Sequence, residues 1–395
     1  MKFADRVSRV KGSATLAMTT RAAELRAAGV DVINMSVGEP DFPTPDHIVA
    51  ASQQAIADGF TRYTPAPGLP QLREAIVAKL ARDNGIKVST EQVIASNGAK
   101  HSLFNACMAL FQQGDEVIIF APYWVSFPEF VNFSHATPVV VGTDSERRFE
   151  PLFDELEDRI GPRTKGIIMN SPSNPTGGVW SRAAVEQIIG LARKHDLWLL
   201  TDECYEALAY DEPFVSAAAI DPDFEKILTF QSCSKTYAMT GWRIGYMAGP
   251  VELVKAMSRL QGQSTSCPNS IGQMAAVAAL TGDQSVVQEM KAAFQRRRGL
   301  VVERLTAIPG IKCGEPGGAF YVFPDVGGLF GQNWDGRPLE SPDDVTEFFL
   351  TAAHVVTVSG EAFGDNRHVR FSYAVSDEDI ITAGQRIADA VAGLT

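Results

Sequence analysis

The chain has 395 residues, 45% of them hydrophobic and 21% charged, a composition typical of a folded protein of about two or three domains and not of a disordered one. Its formal net charge of -12 argues against nucleic-acid binding, because phosphate contacts need clustered Lys and Arg. We find neither an apolar signal segment nor an apolar run of membrane length, and we therefore expect a cytoplasmic protein without a membrane partner. The five cysteines are widely separated, which predicts reduced thiols and no metal site.

Short apolar runs alternate with helical patterns through the middle of the chain. The runs are, in chain order, EQVIASNG (91–98), DEVIIFAP (115–122), TKGIIMNSP (164–172), DLWLLTDE (196–203), KILTFQSCSK (226–235) and WRIGYMAG (242–249). Segments such as AAVEQIIGLARKH (183–195) and VELVKAMSRL (251–260) have helical spacing. Strands that are apolar on both faces and separated by helices predict βαβ units, so we expect an α/β domain with a largely parallel sheet.

The pattern changes near residue 290, where a long helix, AAFQRRRGLVVERLTA (292–307), is followed by the strand-like runs GGAFYVFP (317–324) and HVRFSYA (368–374). This order predicts a smaller α+β domain that the N-terminal segment completes. We therefore expect a large domain over 45–290 and a small domain formed by 1–44 and 291–395. The basic run at 296–298 is predicted to be a solvated stretch of helix, and 326–341 an exposed loop.

Polar side chains follow the predicted strands, and ligands of open α/β sheets bind beyond the carboxyl ends of strands. The residues in these positions are 97–100, 122–124, 170–177, 202–205, 232–235 and Arg243. They include a lysine, an aspartate, an arginine, an asparagine, a tyrosine and a tryptophan. We expect these side chains to share one crevice.

A phosphate site is predicted where a helix begins after the first of these strands. The chain has neither a dinucleotide-binding nor a P-loop glycine motif. The backbone amides of Gly98, Ala99 and Lys100 can still bind a phosphate at the helix N-terminus, with Ser232 and Arg243 as side-chain donors. The alternative is that SNGAK (96–100) forms only a turn and a helix cap.

Lys235 and Asp202 suggest a cofactor with an aldehyde and a basic ring. A free lysine amine has a pKa of about 10.4, too high for attack on a carbonyl at neutral pH unless its surroundings change it. A buried Asp202 after the run LWLL needs a cationic partner, such as a protonated pyridine nitrogen. Pyridoxal phosphate carries the aldehyde, the ring and a phosphate. The alternatives are a surface lysine and an aspartate that caps the following helix.

In this order the motifs resemble those of class I/II, fold-type I pyridoxal-phosphate aminotransferases, over nearly the whole chain. The matching segments are GEPDF (38–42), SPSNPTGG (171–178), DECY (202–205), SCSKTYAMTGWRIGY (232–246) and VRFSYA (369–374). The resemblance implies an α/β fold: a large domain with a mostly parallel, seven-stranded sheet flanked by helices, and a smaller α+β domain.

The resemblance also implies roles at the ring of pyridoxal phosphate. Lys235 forms a Schiff base with the cofactor and moves the proton. Asp202 binds the pyridinium, while Asn174 and Tyr205 donate to the phenolic oxygen. Trp124 stacks on the ring, although ordinary core packing is the alternative for a tryptophan.

Further roles concern the phosphate and the substrate. Ser232, Arg243 and the amides of 98–100 bind the phosphate. Tyr63, in TRYTPAPG, matches a tyrosine that reaches the phosphate of a neighbouring subunit, which implies a homodimer with shared active sites. Arg370 binds the substrate α-carboxylate, and Gly38, Trp124 and Asn174 also contact the substrate. The alternative role for Arg370 is an ion pair on the face of its strand.

The substrate is predicted from the branch of the family that the chain resembles most. The best-known aspartate aminotransferases bind the distal carboxylate through a partner-subunit arginine, but GQSTSCPNS (262–270) contains none. A second branch, of bacterial aspartate and aspartate/prephenate aminotransferases, has a Ser-x-Thr and a lysine that match Ser13, Thr15 and Lys100. This resemblance implies ping-pong transfer from L-aspartate to 2-oxoglutarate through the Lys235 Schiff base.

Several alternatives stay open at this point. Ser13 and Thr15 are also suited to capping a helix. Transaminases for prephenate, aromatic amino acids or alanine fit the same motifs, as does a β-lyase. A sensor module of a transcription regulator is a further class, although the chain carries no helix-turn-helix extension or basic face.

Overall fold

A computed structural model describes residues 3–10, 12 and 14–395 of the chain. The helices of these residues are α1 (Asp5–Ser8), α2 (Ala14–Ala27), α3 (Asp46–Ala57), α4 (Pro70–Asn84), α5 (Ala99–Leu110), α6 (Phe127–Phe133), α7 (Phe153–Arg159), α8 (Arg182–Lys194), α9 (Ala217–Ile220), α10 (Cys233–Thr236), α11 (Val251–Ser264), α12 (Ser270–Thr281), α13 (Ser285–Thr306), α14 (Pro342–Ala352) and α15 (Asp377–Ala392). Within the described ranges, none of these helices has both the length and the hydropathy required to cross a membrane.

The strands are short, as is usual for globular proteins. They are β1 (Ile33–Asn34), β2 (Val93–Ser96), β3 (Glu116–Ala121), β4 (Thr137–Asp144), β5 (Glu150–Pro151), β6 (Thr164–Asn170), β7 (Trp198–Asp202), β8 (Ile227–Ser232), β9 (Gly245–Ala248), β10 (Tyr321–Val322), β11 (Asn333–Trp334), β12 (Arg337–Pro338), β13 (Val355–Val356), β14 (Val358–Ser359) and β15 (Val369–Ser372).

A large sheet forms the centre of the molecule, with strand order β2-β9-β8-β7-β6-β3-β4-β5 in the described residues. The neighbouring pairs from β8 to β4 are parallel, whereas β9 is antiparallel to both β2 and β8. The predicted α/β class and the mostly parallel sheet are therefore confirmed. The sheet has eight strands instead of seven, because the two-residue strand β5 pairs with β4 at one edge; a strand of two residues leaves no pattern in the sequence.

Both faces of the large sheet are buried, as the unbroken apolar runs predict. In β7, Leu199 and Leu200 are fully buried yet belong to different core clusters. Leu199 packs with apolar residues of α8, and Leu200 packs with apolar residues of α5 and α11. Successive side chains of a strand point to opposite faces, so a strand covered on both sides is apolar at every position.

A second core involves mainly residues after position 290. Phe294 of α13, Phe349 of α14 and Phe371 of β15 are buried there with β10 and α15. The N-terminal segment joins this region through β1, which pairs in parallel with β13. The division at 44/45 and 290/291 stays a prediction, and the separation of this core from the clusters on the large sheet accords with it.

Two predictions for the C-terminal part are wrong. The basic run is not a solvated stretch: Arg297 is 7% exposed, its guanidinium pairs with Asp41 at 2.7 and 2.9 Å, and Phe42 lies under it. The stretch 326–341 is not simply an exposed loop, because Val326, Leu329 and Leu339 are buried and the hairpin of β11 and β12 lies within it. In both segments burial depends on contacts with residues distant in sequence: an aspartate partner for Arg297 and apolar packing for 326–341.

The adjacent arginines of α13 permit a matched stability test. We expect Arg297→Ala to lower the free energy of unfolding by about 2 to 3 kcal/mol, because it leaves the Asp41 carboxylate without its partner and removes packing on Phe42. Arg296, whose side chain is 61% exposed, is the control, and Arg296→Ala should cost less than about 1 kcal/mol. Urea unfolding at a fixed protein concentration measures both, and equal losses would contradict the assignment.

Candidate active site

The carboxyl ends of the central strands meet at one cavity, as the topology rule for α/β sheets predicts. Strand register sets Asn170 beside Asp202, and Ser232 beside Gly245. The cavity beyond them has a volume of about 580 Å³, within the usual range for small-molecule sites. The predicted site residues that line it are Gly38, Ala99, Lys100, Trp124, Asn174, Asp202, Tyr205, Ser232, Lys235, Arg243 and Arg370.

Lys235 lies in the short helix α10, directly after β8. Its Nζ points into the cavity and donates to the carbonyl oxygen of Gly38 at 2.5 Å. Burial is the main cause that lowers the pKa of this amine to about 8. Lys235 is therefore not a solvated surface lysine, and its amine is close to the pKa that nucleophilic and proton-transfer chemistry need.

Asp202 ends β7 and is 5% exposed. Its Oδ1 accepts the backbone N–H of Cys204 at 3.2 Å, so the carboxylate also stabilises the following turn. No ion pair joins it to another residue in the described parts of the chain. Burial raises the pKa of the carboxyl, and the Cys204 hydrogen bonds oppose that rise. A cationic group in the cavity would therefore stabilise the ionised form.

The first turn of α5 and Arg243 form the cationic end of the cavity. Gly98, with φ +81°, is the residue before this helix, and a Cβ there would lie 2.5 Å from Arg243 Nη2. A Cβ on Gly245 would lie 2.1 Å from the amide nitrogen of Ala99. Glycine at both positions lets the guanidinium and the β9 backbone approach the helix N-terminus, where an anion binds favourably.

Arg370 is the most deeply buried cation of the cavity, with 2% exposure. Its Nη1 donates to Asn174 Oδ1 at 2.8 Å and its Nη2 to the Ser36 carbonyl at 2.6 Å, while its Nε has no hydrogen-bond partner in the part of the chain that the structure describes. Among the described residues no carboxylate pairs with it, so the strand-face ion pair is wrong. Burial lowers the pKa of the guanidinium. A buried cation without a counter-ion is suited to an anionic ligand.

Trp124 and Lys100 contact each other at the cavity wall. The Lys100 Nζ lies 4.8 Å from the centroid of the Trp124 ring, and the indole packs edge-on against Phe127. Loss of solvent and the charge of Arg243 lower the pKa of the Lys100 amine. Trp124 thus contacts the core and also lines the cavity, and its stacking on a cofactor ring stays a prediction.

Four predicted residues do not line this cavity in the described structure, and one of them, Gly98, lies directly before α5. Tyr63 is 88% exposed and is not among the lining residues. Ser13 lies outside the described residues, and the side chain of Thr15 in α2 is likewise outside them. A residue of the same helix that does line the cavity is Thr19.

Sequence reasoning missed two residues that organise the site. Asn170 lies at the end of β6, and its Oδ1 accepts the backbone N–H of Asn174 while its Nδ2 donates to the Asp202 carbonyl, each at 2.9 Å. Tyr321 lines the cavity, and its hydroxyl lies 2.8 Å from that of Tyr205. A hydroxyl within the apolar run GGAFYVFP was the available signal.

The fold and the cavity bring a lysine amine of lowered pKa and a buried arginine together at the carboxyl ends of the strands of an α/β sheet. Comparisons with known proteins identify the family. The model of the family described as aminotransferase class I and II matches residues 30–387. The chain belongs to this family, and it is an aminotransferase.

The relatives share the chain's full length. An aspartate/prephenate aminotransferase of Cereibacter sphaeroides is 46% identical, covering 100% of this chain and 99% of the relative. The crystal structure of the Rhizobium meliloti aspartate aminotransferase is 42% identical with a TM-score of 0.96, covering 100% of both chains. A Thermus thermophilus aspartate aminotransferase, solved with maleate, is 41% identical with a TM-score of 0.94, covering 99% of this chain and 100% of that one.

Proposed function

We propose that this aminotransferase uses pyridoxal phosphate to move the amino group of L-aspartate to 2-oxoglutarate. The observation that carries the proposal is Arg370, a buried guanidinium that pairs with no carboxylate of the described residues, in the same cavity as the amine of Lys235. An α-amino acid has a carboxylate that can bind Arg370 and an amino group that would lie near Lys235. The names of the relatives support aspartate as the donor.

The residues present fit pyridoxal phosphate. Asp202 is a buried carboxylate that forms no ion pair with any described residue, and it would hold the protonated ring nitrogen. The helix N-terminus at 98–100, with Arg243 and Ser232, would hold the phosphate. Asn174 and the nearby Tyr205 would bind the phenolic oxygen, and Trp124 would cover the ring. When bound, the cofactor supplies an aldehyde and a ring that withdraws electrons from the substrate α-carbon.

Lys235 moves the proton in this proposal. With a pKa of about 8, roughly a tenth of the amine is neutral at pH 7, compared with far less than 1% for a free lysine. A neutral Nζ can remove the α-proton of the substrate and deliver it elsewhere. The same residue and the same Arg370 contact serve both half-reactions, so oxaloacetate leaves before 2-oxoglutarate binds, in a ping-pong order.

The distal carboxylate of aspartate is assigned to Lys100, with Ser13 and Thr15 as further partners. Lys100 is supported by its position at the cavity wall, beside Trp124. A cation there favours dicarboxylic over neutral side chains by charge. Ser13 and Thr15 rest on the resemblance alone.

A homodimer with shared active sites is part of the proposal. Tyr63 is 88% exposed, outside the cavity of its own chain, and so is available to the phosphate site of a second subunit. The cytoplasmic location stays a prediction from the cysteine content. Light scattering at several concentrations would measure the dimer, and a strictly monomeric, active enzyme would contradict it.

The proposed function is tested with a panel of amino donors and 2-oxoglutarate. We expect aspartate to give the highest kcat/KM, exceeding that of alanine by at least about 10-fold, because loss of one charged contact costs more than about 1.4 kcal/mol. Absorbance of the bound cofactor, followed with each donor alone, reports the first half-reaction. Faster transfer from alanine or an aromatic amino acid would contradict aspartate as the donor, and faster amination of prephenate in place of 2-oxoglutarate would contradict the acceptor. Release of pyruvate and ammonia from a cysteine conjugate would indicate a β-lyase.

A further inference from the structure

Tyr321 joins two parts of the cavity that have separate roles in the proposed reaction. The residue lies in β10 and is fully buried. Its ring packs against the guanidinium of Arg370, 4.8 Å from the ring centroid, and its hydroxyl lies 2.8 Å from the Tyr205 hydroxyl. A Cβ on Gly38 would lie 2.6 Å from the same oxygen, so the backbone of this glycine encloses it.

Either tyrosine hydroxyl can be the donor in this geometry, so the direction of the hydrogen bond depends on where the Tyr205 proton goes. Each hydroxyl has one proton to donate and two lone pairs to accept. If Tyr205 donates its proton into the cavity, it has none left for Tyr321, and Tyr321 must be the donor between them. The positive charge of Arg370 against the Tyr321 ring withdraws electron density and strengthens this donor.

We propose that Tyr321 is a positioning residue that donates to Tyr205 and so directs the Tyr205 proton to the phenolic oxygen of bound pyridoxal phosphate. This inference rests on the proposed function, which assigns that oxygen to Tyr205. Consecutive hydrogen bonds polarise one another, and each bond is strengthened by about 10 to 30%. Donation from Tyr321 therefore makes Tyr205 a stronger donor and stabilises negative charge on the oxygen it binds.

The test is a pH titration of the absorbance of cofactor-loaded enzyme without substrate. A donor to the phenolic oxygen favours its anionic form and lowers the pKa of the bound chromophore, so loss of a donor raises it. Tyr205→Phe should raise this pKa by about 1 to 2 units, and Tyr321→Phe by roughly 0.3 to 0.7 of a unit. The double variant should equal Tyr205→Phe, because Tyr321 acts only through Tyr205.

Tyr373 supplies a matched control. It is also a fully buried tyrosine, but its hydroxyl contacts the Ala319 carbonyl at 3.1 Å and it does not line the cavity. Tyr373→Phe should leave the chromophore pKa unchanged. Incorporation of 3,5-difluorotyrosine in place of Tyr321 keeps the shape of the side chain and makes a stronger donor, so it should lower the pKa and tests the inference even if Tyr321→Phe folds poorly.

The outcomes separate the inference from the proposed function. If Tyr205→Phe raises the chromophore pKa but neither Tyr321→Phe nor fluorinated Tyr321 changes it, the role of Tyr321 is overturned and the role of Tyr205 stands. A Tyr321→Phe shift of the same size in the presence and absence of Tyr205 also overturns it. Failure of the wild-type chain to bind the cofactor, or no effect of Tyr205→Phe, overturns the cofactor assignment instead.

Discussion

Replacement of Lys235 by alanine is expected to reduce transamination from aspartate by at least about 10⁴-fold. A positioned proton-transfer group contributes about 10² to 10⁴ by itself, and Lys235 would also provide the covalent attachment of the cofactor. Its Nζ, with a pKa lowered to about 8, is already held against the Gly38 carbonyl in the cavity. The rate of the first half-reaction, followed by absorbance in a single turnover, measures the loss directly.

The spectrum gives a second measurement on the same variant. Lys235→Ala should still bind pyridoxal phosphate, because the phosphate and ring contacts are made by other residues, but it should lose the absorbance of the lysine-linked form. Lys255→Ala is the control, since this lysine is exposed on α11 and pairs with Glu252. If Lys235→Ala kept both the rate and the spectrum of the wild type, the central assignment would fail.

Replacement of Arg370 by lysine is expected to lower kcat/KM for aspartate by roughly 30- to 4,000-fold. This range corresponds to the loss of about 2 to 5 kcal/mol when one partner of a buried charge pair is removed or misplaced. Lysine keeps the positive charge but not the planar pair of donors that matches a carboxylate. It also cannot replace the bonds from Arg370 to both Asn174 and the Ser36 carbonyl.

Two comparisons make the Arg370 result specific. Arg367→Lys is the same substitution at an exposed arginine three positions earlier, which pairs with Asp325, and it should leave kcat/KM within about 2-fold. An amine that lacks the α-carboxylate but otherwise matches the substrate should react equally slowly with the wild-type enzyme and with Arg370→Lys. A similar fractional loss for substrates with and without the carboxylate would show that Arg370 acts only on the fold.

Much of the site could be predicted because chemistry and strand position are both local in the sequence. The apolar run LWLL predicts a buried strand, and Asp202 at its end must then face a ligand edge of the sheet. Lys235 follows the next strand in the same way. Their approach needs no knowledge of side-chain packing, since the carboxyl ends of parallel neighbours meet at one edge.

Other features depend on partners far away in the chain. The strand β4 gives little signal because most of its residues are only partly buried, near the edge of the sheet. Arg297 has the sequence surroundings of a surface residue, yet Asp41 and Asp377, from separate segments, pair with it. Local periodicity does not report which charges a distant segment will bring.

The amino-acid sequence by itself determined the α/β class, the strand ends that carry chemistry and the resemblance to aminotransferases. The tertiary structure alone decided that Arg370 pairs with no carboxylate within residues 3–10, 12 and 14–395 and that Tyr321 bonds to Tyr205. The physical reason is that a strand's burial and end points follow from the pattern of its own residues. Whether a buried polar group is left for a ligand depends instead on every segment packed around it.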